Sequence, residues 1–219
     1  YWLDSVLSAD LAIKPVMQSS SVSEARLSEA VIETIRSDRD VVDTVWFSSR
    51  QVPLGDRTIR LTATELEKVL QFQRLLFKVP PVDDMATPGI PDDAVLVSES
   101  FSNLFTVRRG DWIALPGGTG MVRLRVAGIY YDYANNQGTV MMDAATYRKL
   151  EADSDPRRAA QNLSVYLRDG ADPGRVRERL LDRAGDGELL YCVTSSEIRR
   201  EAMRIFESTF AVTYALQVI

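Results

Sequence analysis

Apolar positions along the chain repeat at one period and then another, and each switch marks an element boundary. Leu11-Ala12-Ile13 and Val16 form a short apolar run behind Asp10 and predict a first strand. Gln18 to Ser23 is a polar, serine-rich loop. Ser21-Val22-Ser23-Glu24 has the hydroxyl-to-carboxylate spacing of a capping box. Leu27, Ala30, Val31, Thr34 and Ile35 then share one face of a helix reaching Arg36. Val41 to Phe47 predicts a strand. A turn at Pro53-Leu54-Gly55-Asp56 leads to the alternating run Thr58 to Ala63, its hairpin partner.

The middle third follows different rules. Glu65 to Phe77 fits a helix or an extended run equally well, and Val79 to Asp93 carries four prolines and reads as a loop. Ala94 to Val97 is a short strand, and Ser98 caps a brief helix from Glu99 to Phe105. Trp112–Leu115, Val122–Ile129 and Gly138–Met142 are strands, separated by the turns Pro116 to Gly120 and Asn135 to Gly138. Asp143 caps a helix to Leu150.

The last third reads β-α-β-α. A loop covers Glu151 to Arg158, and Leu163 to Leu167 is a strand with alternating faces. Asp172-Pro173 opens a helix lined by Val176, Leu180 and Leu181, and Gly185 ends it. Leu189 to Val193 is the last strand. Thr194 to Glu197 is a second capping box, and Ile198, Ala202, Ile205, Phe206 and Phe210 line one face of the helix it starts. From Ser208 to Ile219 no residue is charged. A helix that begins amphipathic and turns apolar all round predicts the start of a membrane span, which needs ~20 apolar residues. Tyr1-Trp2-Leu3 at the other end suits the membrane–water interface. The expectation is a water-facing domain with membrane at both ends.

This pattern gives an α+β fold of two strand–helix–strand units with an inserted β-rich subdomain. Residues 1–77 are the first half of the α+β unit, 78–150 the insert, 151–196 the second half and 197–219 a stalk helix. The outer units are expected to share a sheet from which the insert stands off.

Composition narrows the chemistry. The 219 residues include no histidine and one cysteine, with a net charge of −5. Without imidazole, Ser-His-Asp and Cys-His catalysis in their usual forms are excluded, along with most zinc and non-haem iron sites. Lysines and arginines do not cluster free of acids, so no nucleic-acid partner is expected. Cys192 lies in the apolar run Leu189 to Val193 and is expected to be buried.

The remaining candidates resolve to structure more readily than to chemistry. Gly117-Gly118-Thr119-Gly120 lacks the lysine and following helix of a phosphate loop and reads as a hairpin turn. Arg108-Arg109-Gly110-Asp111 is a charged turn. Asp83-Asp84 and Asp92-Asp93 are solvated loop carboxylates without the spacing of a calcium site. Lys14 and Lys68 lie near serines, but no Ser-x-x-Lys motif places a base beside a nucleophile. Tyr130, Tyr131 and Tyr133 follow a strand directly and form a candidate partner or substrate surface, since such rings combine contact area with a polar tip.

Residues 95 to 143 resemble the extracytoplasmic domain of MacB/FtsX-like ABC transporter permeases. The matching parts are Val97-Ser98-Glu99, Gly110-Asp111-Trp112-Ile113, Val126-Ala127-Gly128-Ile129 and Met142-Asp143, and Arg204 to Phe210 is similar to the family's lead-in to a second membrane helix. The resemblance implies a MacB-like periplasmic core, split into a part with porter-type βαβ units and an inserted β-rich part, lying between two membrane helices of a bacterial inner-membrane permease. It implies a cytoplasmic ABC ATPase and a second permease unit, or the second half of one chain, as partners, leaves a periplasmic adaptor open as a further partner, and implies no cofactor or catalytic residue. Motion would pass through a coupling stalk that includes Ile205, Phe206, Phe210 and Tyr214. The work done would be export or extraction of a lipoprotein, lipid, peptide or drug-like substrate. The alternative is a membrane-tethered ligand-binding or sensor domain.

Overall fold

The computed structural model describes residues 8–16, 25–81, 91, 93–133, 135–151, 155–184 and 189–204. Tyr1 to Leu7, Ser21 to Glu24, Asp83, Asp84, Asp92, Gly185 and the stretch 205–219 lie outside the described residues.

The strands are β1 (Leu11–Pro15), β2 (Val41–Leu54), β3 (Arg57–Thr64), β4 (Phe77–Val79), β5 (Ala94–Ser98), β6 (Trp112–Gly117), β7 (Gly120–Tyr130), β8 (Thr139–Asp143), β9 (Asn162–Leu167) and β10 (Leu190–Thr194). The helices are α1 (Glu29–Arg36), α2 (Leu66–Phe72), α3 (Glu99–Phe105), α4 (Ala144–Leu150) and α5 (Pro173–Ala184), with a 3₁₀ turn at Pro156–Ala159. Residues 195–204 form a further helix, α6. One mixed sheet runs in the order β10-β1-β9-β2-β3-β8-β5-β7-β4, with β6 also paired to β7. This is the α+β class that the sequence predicts.

Strand alternation splits the core between the two faces of the sheet. Trp46, Val95, Val97, Val140, Met142, Leu163 and Val165 face a large core shared with Ile35 of α1, Phe101 of α3 and Leu180 of α5. Val45, Leu96, Met141 and Tyr166 face a smaller core closed by Leu66 and Val69 of α2. Coverage on both sides explains why Ala94 to Val97 and Val140 to Met142 are continuously apolar rather than alternating.

The outer units share a sheet, but the 78–150 segment does not stand off it. Its strand β8 pairs in parallel with β3, from Arg60 opposite Thr139 to Thr64 opposite Asp143. Without β8, the N–H and C=O groups along that side of β3 would form an open edge.

Local signals hold where a side chain can reach its own backbone. Ser98 Oγ accepts from the Phe101 N–H at 3.2 Å and Asp143 Oδ1 from the Ala145 N–H at 3.0 Å. Asp172 Oδ1 accepts from the Gly174 N–H at 2.9 Å, with Pro173 at the first helical position. The α1 helix starts later than the Ser21–Glu24 spacing suggests. Ser28 caps it, and Leu27 lies ahead of it, buried, with its N–H donating to Ala160 O at 2.8 Å. Strand β2 continues through Pro53, because β9 pairs it only from Val41 to Phe47 and no ladder bond is lost beyond that point. The turn shrinks to Gly55-Asp56, where Gly55 takes φ +64°. The ambiguous stretch resolves into α2 and then β4. Cys192 is half-buried rather than buried, because β10 ends the sheet.

Candidate coupling junction and partner surface

Two segments that are distant in sequence leave the sheet at one point. Leu11, the first residue of β1, pairs with Thr194, the last of β10. One residue further out, the Ser195 N–H donates to Asp10 O at 3.0 Å. Asp10 is itself held from β9: its N–H donates to Val165 O at 3.0 Å, and its Oδ2 accepts from the Leu167 N–H at 2.7 Å.

The helix that begins there starts with a reciprocal cap. The Glu197 N–H donates to Thr194 Oγ1 at 3.1 Å, and the Thr194 N–H donates to Glu197 Oε2 at 2.9 Å. Arg177 of α5 adds Nη1 to both oxygens of Glu197, at 2.7 and 2.8 Å. The Thr194 N–H, with Arg177 beside it, holds the Glu197 carboxyl down at about 2. The capping box read from the sequence is therefore present, and tertiary structure clamps it. Beside it, Tyr191, Cys192, Val193, Ile198 and Ala202 line an open concavity of about 830 Å³. Burial pushes the Cys192 thiol up to about 11, so it is a packing group rather than a thiolate. The named stalk residues Ile205, Phe206, Phe210 and Tyr214 lie beyond the described residues. No helix among the described residues is long and apolar enough to cross a membrane.

The tyrosine surface is smaller than the sequence suggests. Tyr130 ends β7 inside the smaller core, only 4% exposed, and burial pushes its hydroxyl far above the usual range. Tyr131 and Tyr133 are outside, stacked at 5.8 Å between ring centroids and 7° between planes. Tyr133 is exposed, and the Tyr131 N–H donates to the carbonyl of exposed Leu76 at 2.8 Å. Beneath this turn, Thr139 Oγ1 donates to Asp132 Oδ2 at 2.8 Å and accepts from Asn135 Nδ2 at 3.0 Å.

The other candidates take structural places. Lys68 Nζ meets Asp43 Oδ1 at 2.6 Å and Glu65 Oε1 at 3.4 Å, not a serine. Gly118-Thr119 turns the β6–β7 hairpin, and Gly110 takes φ +93° in the Arg108–Asp111 turn. No cluster of metal-ligating side chains occurs among the described residues.

No family model matches the chain. An uncharacterized ABC transporter permease protein of Mycobacterium tuberculosis is 25% identical over 224 residues, which cover this whole chain. The chain spans about a quarter of that relative's length. The periplasmic region of MacB from Actinobacillus actinomycetemcomitans superposes with a TM-score of 0.58, covering 92% of this chain and 95% of that one at 13% identity. The fold is that of a MacB-type periplasmic domain. The extracellular domain of the ABC-type transporter YknZ from Gram-positive bacteria matches it at a TM-score of 0.52, covering 85% of this chain and 99% of that domain at 13% identity. The MacB/FtsX-like resemblance drawn from residues 95–143 is borne out over nearly the whole MacB-type domain, in its fold and in its similarity to a permease.

Proposed function

We propose that this chain is the extracytoplasmic domain of an ABC transporter permease, and that it couples motion of flanking membrane helices to work on a substrate outside the membrane. The observation that carries the reading is the Ser195 N–H bond to Asp10 O. The two segments that would run to the membrane, ahead of β1 and along α6, are fastened to each other and to the sheet. Pushing on both would tilt the domain as one body instead of spreading its ends. The role is non-catalytic. The segment 78–150 serves as an inserted subdomain whose strands continue the moving sheet, and 197–219 as the stalk.

The same reading names the partners: a cytoplasmic ABC ATPase acting through the full-length permease, a second permease unit and a periplasmic adaptor. The site is the outer face of a bacterial inner membrane. Substrates are of the lipoprotein, lipid, peptide or drug-like class. Tyr131 and Tyr133 stack on a surface turn and are the candidate contact for a partner or substrate.

Ser195→Pro in the full-length permease is the test. Proline is welcome at the first helical position, and there it removes the N–H that bonds Asp10 and sets its ring Cδ against Asp10 O. Retained ATP hydrolysis with lost export supports coupling through this junction. Unchanged export, with the bond shown to be absent, overturns it.

A further inference from the structure

The β6–β7 hairpin presents a sheet face that nothing among the described residues covers. Its inner positions Ile113, Leu115 and Leu124 belong to the large core. Its outer positions are Trp112, Ala114, Met121, Arg123 and Arg125, all exposed. Trp112 is 49% and Met121 62% exposed. Trp112 lies opposite Arg125, and Ala114 opposite Arg123. The Arg123 guanidinium sits 5.5 Å from the Trp112 ring centre. From Trp112 to Arg125 there is no acidic residue, in a chain of net charge −5. Arg108 is exposed in the preceding turn, where Asp111 spends one oxygen on the Arg108 N–H.

The hairpin also leaves backbone groups open. Gly117 and Gly120 close a two-residue turn, so residues 117, 115 and 113 direct their backbone groups at β7. The Val126 N–H donating to Asp111 O at 2.9 Å continues that alternation. Trp112, Ala114 and Pro116 therefore point theirs away from β7, and proline at 116 gives up no bond there. Strand β6 approaches β2 without pairing to it. Among the described residues, the outward N–H and C=O groups of Trp112 and Ala114 meet no strand.

We propose that this edge is a docking site for an extended acidic segment of a partner protein. The segment would add along Trp112 to Leu115, about 4.8 Å beyond β6. A carboxylate opposite small Ala114 could reach Arg123, and one further along Arg125. An apolar residue between them would lie on Trp112. Two open residues can register a peptide but give little for a second copy of this sheet to extend. The proposal goes beyond the coupling reading and stands without it.

The test uses the 219-residue chain and a capped octapeptide alternating glutamate and threonine. Amide resonances of residues 112–115 and 117 should shift in a saturable, salt-sensitive way. Arg123→Glu with Arg125→Glu should weaken binding about tenfold or more, as should exchanging the peptide's glutamates for lysines. Both arginines are exposed, so an unchanged spectrum elsewhere confirms that the variant folds. Absent binding, equal binding of the lysine peptide, or shifts mapping away from β6 would overturn the proposal. So would phosphatidylglycerol vesicles that bind this face while the acidic peptide does not, which would assign it to a membrane surface.

Discussion

Arg179 of α5 forks onto Asp38, with Nε 2.8 Å from Oδ2 and Nη2 2.7 Å from Oδ1. The same Nη2 reaches Asp40 Oδ2 at 2.7 Å, and Arg183 Nη1 lies 3.3 Å from Asp38 Oδ2. The Asp38 side chain has no solvent exposure. It sits in the turn between α1 and β2, so this fork fastens the first third of the chain to the last.

The fork should make the domain acid-sensitive. Arg179 holds the Asp38 carboxyl at about 2, against burial that would raise it, compared with an ordinary value of 3.8. The folded value lies below the unfolded one, so the stabilisation is fully present above 3.8 and is lost as pH falls through about 2. The loss over that window is on the order of 2 kcal/mol. Arg179→Leu leaves a buried carboxylate without its fork and should cost about 3 kcal/mol or more at neutral pH. Urea unfolding at neutral and acid pH should show both losses, with the variant no longer gaining stability between pH 2 and 4.

At the junction, Thr194→Ala removes the hydroxyl that accepts from the Glu197 N–H. The cost should be about 1 kcal/mol, confined to the start of α6. Amide exchange of residues 195–204 should speed up while that of β2 and β9 does not. Glu197 adds a pH signature of the same sign as Asp38. Its folded value of about 2 is below the ordinary 4.5, so protection at Ser195 and Ser196 should fade as pH drops through that range.

These elements also show what a sequence can disclose. Ser98, Asp143 and Thr194 cap helices through bonds spanning two or three residues, and such spacing is legible directly. The Ser21–Glu24 spacing suggests an earlier start for α1, but the bond from Leu27 to Ala160 holds the chain ahead of the Ser28 cap, and that partner is far away in the chain. The β3–β8 pairing and the Ser195–Asp10 bond are non-local in the same way. Tyr130 fails for a subtler reason. Its place in β7 follows a register shift between Val126 and Gly128, which breaks the simple alternation from Val126. The sequence pattern ends the strand at Ile129, whereas β7 runs through Tyr130 and the shift turns its ring into the smaller core. Tyr133 is exposed and Tyr131 half-buried, while Tyr130 is buried, so the three do not share one surface.

Gly138 precedes β8 with φ +92°, and a Cβ there would lie 3.1 Å from Phe101 Cα. Gly170 has φ +82° and open space around its missing Cβ. Gly170→Ala should cost only the left-handed strain, about 1 kcal/mol. Gly138→Ala must also displace the backbone of α3 and should cost about 2–3 kcal/mol. Equal thermal shifts for the two variants would mean that α3 does not press on this turn.

The three tyrosines divide into one stability position and two surface positions. Tyr130→Ala opens a cavity between Ala94, Leu96, Met141 and the ring's other neighbours in the smaller core, at a cost of about 3–5 kcal/mol. Tyr133→Ala on the exposed turn should change stability by about 0.5 kcal/mol or less. A loss of export in cells on Tyr130→Ala would therefore report unfolding and say nothing about contact. The informative variant is Tyr131→Ala with Tyr133→Ala, which removes the stacked pair and keeps the β7 core. If a partner or substrate touches this turn, that variant should retain its melting temperature within a few degrees and lose transport. If transport is unchanged, the turn is solvent-facing and partner contacts must be sought elsewhere on the domain.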